Sequence, residues 1–292
     1  MSHRTLLALL LLVLLLGVVC VTGDRAYEAR PMSPRAPSGR EAPSGKDAAV
    51  SAARPAARSA RPPSEADAQP TRAPERWGCV VAEGDTLSAV ARRNGVTLGD
   101  IIRLNGISAP RRIVPGAELL LRPVGVDGIA GRPAAEDVVI DVLKKERKVE
   151  LRIRGKLVRT YRCALGRAPE GDKEREGDRR TPEGEFYVCQ RLARGKYGPS
   201  LGISYPDAED AERGLRSGLI TGRAHREIVE SIRARRRPPW TTKLGGAICI
   251  HGRGAGRDWT LGCIALDDAD AGELFVLTPM RAKVRIAAGR AE

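Results

Sequence analysis

The chain has 292 residues, enough for two small domains and a tail, and carries 50 Lys and Arg against 36 Asp and Glu, a net charge of +14. Aromatic residues are only 3% of the chain, and its arginines are spread over a spacer, loops and helix faces, so the charge lacks the rings for base stacking that a single-strand nucleic-acid surface uses. No nucleic-acid partner is expected; the charge reads as solvation plus attraction to an anionic surface.

Residues 6–21 form an unbroken apolar run after Ser2, His3 and Arg4, and Gly23 is followed by Asp24. This is the pattern of an export signal. The run approaches the roughly 20 residues of a membrane span, so cleavage after Gly23 and retention of residues 1–23 as an N-terminal membrane anchor both stand. Cys20 follows Val18 and Val19 rather than a small residue, which speaks against lipid attachment. Residues 24–76 are Pro, Ala, Arg, Ser and Gly with almost no large apolar side chain; such a stretch cannot offset its ordering entropy and is predicted to be a disordered spacer.

Residues 77–123 are patterned. Cys79, Val80 and Val81 read as a strand, Asp85 and Thr86 start a helix that Asn94-Gly95 stops, and Thr97 with Asp100 starts a second, close to a capping box, that ends at Asn105-Gly106. Val114-Pro115-Gly116 then turns into a strand over 118–121. The result is a small βααβ unit.

A Gly-rich hinge over 125–133 leads into β-branched segments at 138–142, 148–153 and 158–164, with Arg154-Gly155-Lys156 as the turn between the last two. A Gly- and charge-rich loop over 166–180 precedes Thr181-Pro182-Glu183-Gly184 and a strand over 185–190. Helical patterns at 206–215 and 224–237 interrupt this β-rich region as an insertion over the core, and 284–286 is a last strand. The fold class expected is α+β and multidomain: the βααβ unit, then a mostly β, sandwich-like domain over 137–287.

Six cysteines become five if Cys20 is removed, an odd number in a disulfide-permissive compartment, so at least one thiol should be free. Cys79, Cys163, Cys189 and Cys249 sit among apolar or β-branched neighbours and read as small buried hydrophobes. Cys263 sits in a glycine-flanked turn, and His251 closes the strand 247–250 a few residues before it. A thiol attacks carbonyls as the thiolate, and a nearby imidazole lowers its pKa from about 8.5. The N–H groups of Gly262 and Cys263 are placed to aim at one oxyanion, each such donor being worth about 3 kcal/mol in acyl transfer. Against this stand plainer readings: Cys263 as core packing, His251 and His225 as solvated. A metal site is not expected, because His251, His225 and Cys263 lack a paired ligand spacing, and no cofactor is implied.

Two resemblances sharpen these expectations. Gly84-Asp85-Thr86-Leu87, Leu104-Asn105 and Val114-Pro115-Gly116 make residues 77–123 similar to a LysM module, which implies binding to N-acetylglucosamine-containing glycan, here the glycan strands of peptidoglycan; a βααβ unit without a ligand is the alternative. His251-Gly252 with Thr260-x-Gly262-Cys263, preceded by Gly171-Asp172-Lys173, Thr181-Pro182-Glu183-Gly184 and Ser204-Tyr205-Pro206, resembles the YkuD-type L,D-transpeptidases over about 137–287. That resemblance implies attack by Cys263 on the carbonyl after the third, L-centred residue of a peptidoglycan stem peptide. It also implies His251 as base then acid, a ring-orienting backbone carbonyl at Gly252, and resolution of the acyl-enzyme by an amine or by water. Tyr205, Trp259 and Thr260 are placed to bind the stem peptide. Leu261 stands where many members have His and Ala265 where many have Arg; members with Ala there include hydrolases, so trimming and cross-linking are both open, as is a glycan-binding scaffold with an idle catalytic domain. Sortases need a different spacing.

Overall fold

The computed structural model describes residues 76–110, 113–124 and 131–290. The apolar run 6–21, the spacer as far as residue 75 and positions 125–130 of the Gly-rich connection lie outside the described residues. Among the described residues no helix is long and apolar enough to cross a membrane.

In the N-terminal module β1 (Gly78–Val80) runs antiparallel to β2 (Glu118–Leu120), with α1 (Leu87–Asn94) and α2 (Leu98–Asn105) between them. The Thr86 hydroxyl accepts the Ala89 N–H and the Thr97 hydroxyl that of Asp100, each covering a donor that a helix start leaves unpaired. Both helices end on glycines with left-handed backbone, Gly95 and Gly106, where a Cβ would be strained. The box expected at Thr97 forms by half: the Asp100 carboxylate accepts from the Thr97 hydroxyl at 2.7 Å instead of from a backbone N–H. Asn105 closes the module, pairing with the backbone of Leu120 through both ends of its amide, at 2.8 and 2.9 Å.

The larger domain is one eight-stranded sheet: β3 (Val138–Leu143), β4 (Lys148–Ile153), β5 (Lys156–Arg162), β6 (Gly184–Gly195), β7 (Gly198–Ile203), β8 (Cys249–His251), β9 (Ile264–Ala265) and β10 (Lys283–Ala287). Their order is β5-β4-β3-β10-β6-β7-β8-β9, with β3–β10 and β8–β9 parallel and the other neighbours antiparallel. β6 is bulged twice along its pairing with β7, which lets one long strand serve both halves of the sheet. The sheet then curls until Ala164, just past β5, exchanges backbone hydrogen bonds with Ala265 of β9, both at 2.8 Å. Ile140, Leu151, Phe186, Val188, Leu201, Ile250, Ile264 and Val284 fill the space so enclosed.

Between β7 and β8 lie α3 (Ala208–Arg216), opened by an Asp207–Asp210 capping box, and α4 (Gly222–Arg233), capped by Thr221. They bury Ala211, Ile220, Ile228 and Leu244 in a small core of their own. The basic helix stops four residues short of the expected end, and β6 runs five residues further than its sequence pattern suggests. The sequence pattern marks none of β7, β9 and α5 (Asp268–Leu277).

α5 also joins the modules. A Cβ on Gly78 would lie 2.7 Å from Val276, so the backbone of β1 rests directly on α5. The Trp77 N–H donates to the buried carboxylate of Glu273 at 2.6 Å, and the Arg159 guanidinium lies 4.0 Å above the Trp77 ring. In β2 and just past it, Leu119 and Leu121 enter the small module's core while Leu120 enters the large one, which explains three consecutive leucines there. The module is therefore packed on its neighbour, where the Gly-rich connection alone suggested a hinged tether.

Candidate active site

β8 places Cys249, Ile250 and His251 beside β9 in parallel register, Ile250 opposite Ile264 and His251 opposite Ala265. Cys249 and Cys263 each stand one residue before the first of those pairs, which brings two thiols together at the end of the sheet. The Cys249 N–H points at the Cys263 sulfur at 3.4 Å, and both sulfurs lie against one carbonyl oxygen, that of Ala247, at 3.5 and 3.7 Å.

His251 is buried, and its Nδ1 lies 2.7 Å from the Gly252 carbonyl oxygen. A carbonyl only accepts, so Nδ1 carries the proton and Nε2 is the nitrogen left for the Cys263 thiol. Gly252 is held in turn: its N–H donates to Tyr197 O at 3.1 Å, and an added Cβ would meet Asp268 Oδ1 at 2.3 Å. Asp268 and Asp267, where α5 begins, accept the N–H groups of Arg253 and Ala255 at 2.8 and 3.1 Å, so the helix that packs on the N-terminal module also fixes the wall beside the imidazole.

The two sulfurs titrate in opposite directions. A hydrogen bond from the Cys249 thiol, then the His251 side chain, hold the Cys263 thiol well below its ordinary value against the opposing effect of burial. Cys249 is pushed up, first by that same hydrogen bond and then by burial. Burial alone would lower His251, but its hydrogen bond and charge interaction with Cys263 and the Gly252 carbonyl raise it. Burial drives Cys79 to about 11 and Cys163 and Cys189 to about 12. Among the described cysteines, only Cys263 is poised as a thiolate.

The remaining site residues are rearranged relative to the sequence expectation. Thr260 is buried; its hydroxyl donates to Cys263 O at 2.7 Å and accepts the Gly262 N–H at 3.1 Å, so it shapes the cysteine turn from within and presents nothing to a ligand. That contact also takes the Gly262 N–H away from the oxyanion role expected of it. Gly262 has φ +133° and its missing Cβ would meet Arg180 O at 2.7 Å, which is why only glycine fits. Tyr205, expected to line the groove, is 0% exposed, edge-on to Phe186 and donating its hydroxyl to Leu244 O at 3.0 Å; it is core. Trp259 does stand at the site, edge-on to His251 at 5.8 Å with its indole N–H on Gly254 O at 3.2 Å.

Two neighbours went unread. Tyr197, at the β6–β7 turn, stacks on His251 with ring centroids 4.8 Å apart, and Cys249 stands beside Cys263 where its apolar neighbours suggest plain packing. Only the strand-then-histidine pattern Cys249-Ile250-His251 hinted that position 249 shares a sheet end with the turn at 263. His225 sits away from the site, 3.2 Å from Glu212 between α3 and α4.

The L,D-transpeptidase catalytic domain family, YkuD, matches residues 137–286, just over half of the 292. The chain belongs to that family. The LysM domain family matches residues 79–122. Comparison with curated proteins gives no match. Solved structures that the chain resembles include the helical cell shape determining protein Pgp2 of Campylobacter jejuni, 21% identical with a TM-score of 0.37, over 53% of this chain and 48% of that one. Bd1075 of Bdellovibrio bacteriovorus is 20% identical with a TM-score of 0.35, over 52% of this chain and 48% of that one. An L,D-transpeptidase from Mycobacterium smegmatis is 9% identical with a TM-score of 0.32, over 52% and 59%. The chain thus spans about half the length of the first two.

The other motif residues of this YkuD-family chain build the loop facing the cysteine. Lys144 is buried and its ammonium donates to Gly171 O, Thr181 O and Glu183 at 2.6, 2.9 and 2.8 Å. The Lys173 ammonium donates to Asp178 at 2.6 Å, and the Asp178 carboxylate also accepts the N–H groups of Glu174, Arg175 and Arg180. A cleft of about 1010 Å³ opens between the LysM module and the β6–β7 turn. Arg92, Arg194 and Arg253 line it, and none of the three has an acidic side-chain partner among the described residues.

Proposed function

We propose that this L,D-transpeptidase modifies peptidoglycan in the cell envelope by thiol acyl transfer. The Cys263 thiolate attacks the carbonyl that follows the L-centred third residue of a stem peptide, and the His251 imidazolium gives its proton to the departing amine of the terminal D-residue. His251, now neutral, takes a proton from the acceptor, whose amine displaces the thiolate from the thioester. The single observation that carries this reading is the His251 ring, fixed through Gly252 and facing the one described thiol held below its ordinary pKa. With Gly262 N–H occupied by Thr260, the Cys263 N–H is the remaining candidate oxyanion donor in the turn.

The LysM module supplies the glycan grip, and the arginine-lined cleft beside it suits the carboxylates that stem peptides carry. Residues 6–21 would serve export or anchoring. Water as acceptor, giving trimmed stems, is the second reading. It is favoured by Leu261, 69% exposed beside the cysteine, and by Ala265, buried in β9, since neither supplies a charge that would hold an acceptor stem.

Incubating sacculi with wild type and with Cys263→Ala tests the enzymatic reading. Cross-linked dimers or tripeptides that appear with wild type alone support it, and their ratio separates transfer from hydrolysis. Identical muropeptide profiles end it; if Cys263→Ala and wild type also pull down with sacculi equally and the thiol resists alkylation at neutral pH, the chain is a binding scaffold.

A further inference from the structure

We infer that Cys249 and Cys263 form a reversible disulfide, making the nucleophile of this site an oxidation site with its own resolving thiol. The placement follows from the sheet. Strands pair at about 4.8 Å, and residues side by side in neighbouring strands have Cα separations inside the range of about 4.4–6.8 Å that a disulfide spans. Cys249 opens β8 and Cys263 directly precedes β9, each one residue before the Ile250–Ile264 pair; the Cys249 N–H lies 3.4 Å from the Cys263 sulfur, and both sulfurs have the Ala247 carbonyl as a neighbour at 3.5 and 3.7 Å. The mechanism above gives Cys249 no chemical step, although it is a second thiol beside the first.

The oxidant is a hydroperoxide. The Cys263 thiolate attacks one peroxide oxygen, the O–O bond breaks, and the sulfenic acid forms as hydroxide or alkoxide departs with a proton. The Cys249 sulfur then attacks the Cys263 sulfur; the S–O bond breaks, the S–S bond forms, and the Cys249 proton leaves with the hydroxide as water. The hydroperoxide is reduced by two electrons and the thiol pair oxidised by two. Two equivalents of an external thiol return both cysteines to the reduced state. Reaction starts at Cys263 because it is the thiolate, while burial keeps Cys163 and Cys189 protonated. The compartment proposed for the protein is one where disulfides persist. Without Cys249, the sulfenic acid would proceed to the sulfinic acid, which external thiols do not reverse.

The sulfur pairing stands on geometry alone; its effect on turnover rests on the proposed role of Cys263, so two readouts are needed. The reduced full chain is exposed to hydrogen peroxide and mapped by mass spectrometry without reduction. A cross-linked peptide joining Cys249 to Cys263, lighter by two hydrogens, is expected, with activity on sacculi lost and restored by dithiothreitol. In Cys249→Ser and Cys249→Ala, checked for native fold by circular dichroism, Cys263 should gain two oxygens at the same dose, and dithiothreitol should restore nothing. Sulfinic acid on wild-type Cys263 without the cross-link, or a cross-link from Cys249 to Cys189 instead, would overturn the inference. If the cross-link forms while Cys263→Ala keeps its activity, the pair stands and the proposed function fails.

Discussion

The ring of Tyr197 lies 4.8 Å from that of His251, inclined by 24°, on the turn that also accepts the Gly252 N–H. An aromatic face stabilises an imidazolium more than a neutral imidazole, so Tyr197 supports the ion pair with Cys263. Tyr197→Ala removes a stack worth about 0.5–1.5 kcal/mol and should slow acyl transfer by about two- to tenfold. Its backbone carbonyl, and so the Gly252 anchor, is retained. Measuring kcat/KM together with the pH profile of Cys263 alkylation separates this from a general loss of fold, which would move thermal unfolding as well.

Because the Cys263 pKa is lowered well below its ordinary value and that of His251 raised above its own, the pH window in which thiolate and imidazolium coexist is widened from both ends. Alkylation of Cys263 should therefore persist to lower pH than that of an ordinary thiol, and drop once pH falls past the depressed thiol pKa. Cys249→Ala removes the largest lowering influence, so the acid limb should move to higher pH. An unchanged limb would mean that His251 alone sets the thiolate.

Gly262→Ala forces a Cβ toward Arg180 O at a backbone angle that alanine avoids. Unfolding should become easier by about 2 kcal/mol or more, and acyl-enzyme formation should fall with the displaced turn. Chemical denaturation read beside thiol reactivity checks both.

Glu273 is buried under Trp77, Tyr161, Arg159 and Arg76, and Glu273→Ala leaves the Trp77 N–H and two guanidiniums facing an empty place. The cost should be about 3 kcal/mol, concentrated at the module junction. Amide exchange should accelerate across Gly78–Val80, and the glycan module should unfold separately from the catalytic sheet.

The LysM-like unit was legible because local chemistry writes it: two threonine caps, two left-handed glycines and an asparagine between helix and strand all act over a few residues. The His251–Cys263 passage was legible for the same reason. What escaped depends on burial and on distant pairing. α5 is buried at every position from Ala271 to Leu277, between β7 and β1, so it shows no single apolar stripe. β7 begins Gly198-Pro199 and reads as a loop until β6 and β8 pair with it on either side. Tyr205 looked like a groove residue by its position in the chain, but the strand order turns it into the core. Cys249 gained its meaning only from the parallel register of β8 and β9.

Capture of the acyl-enzyme tests the central claim most directly. Wild type mixed with a tetrapeptide stem should gain the mass of the tripeptide acyl group, map that adduct to Cys263 and release the terminal D-residue in equal amount. An adduct on another side chain, or release of the D-residue by Cys263→Ala at the wild-type rate, would contradict it.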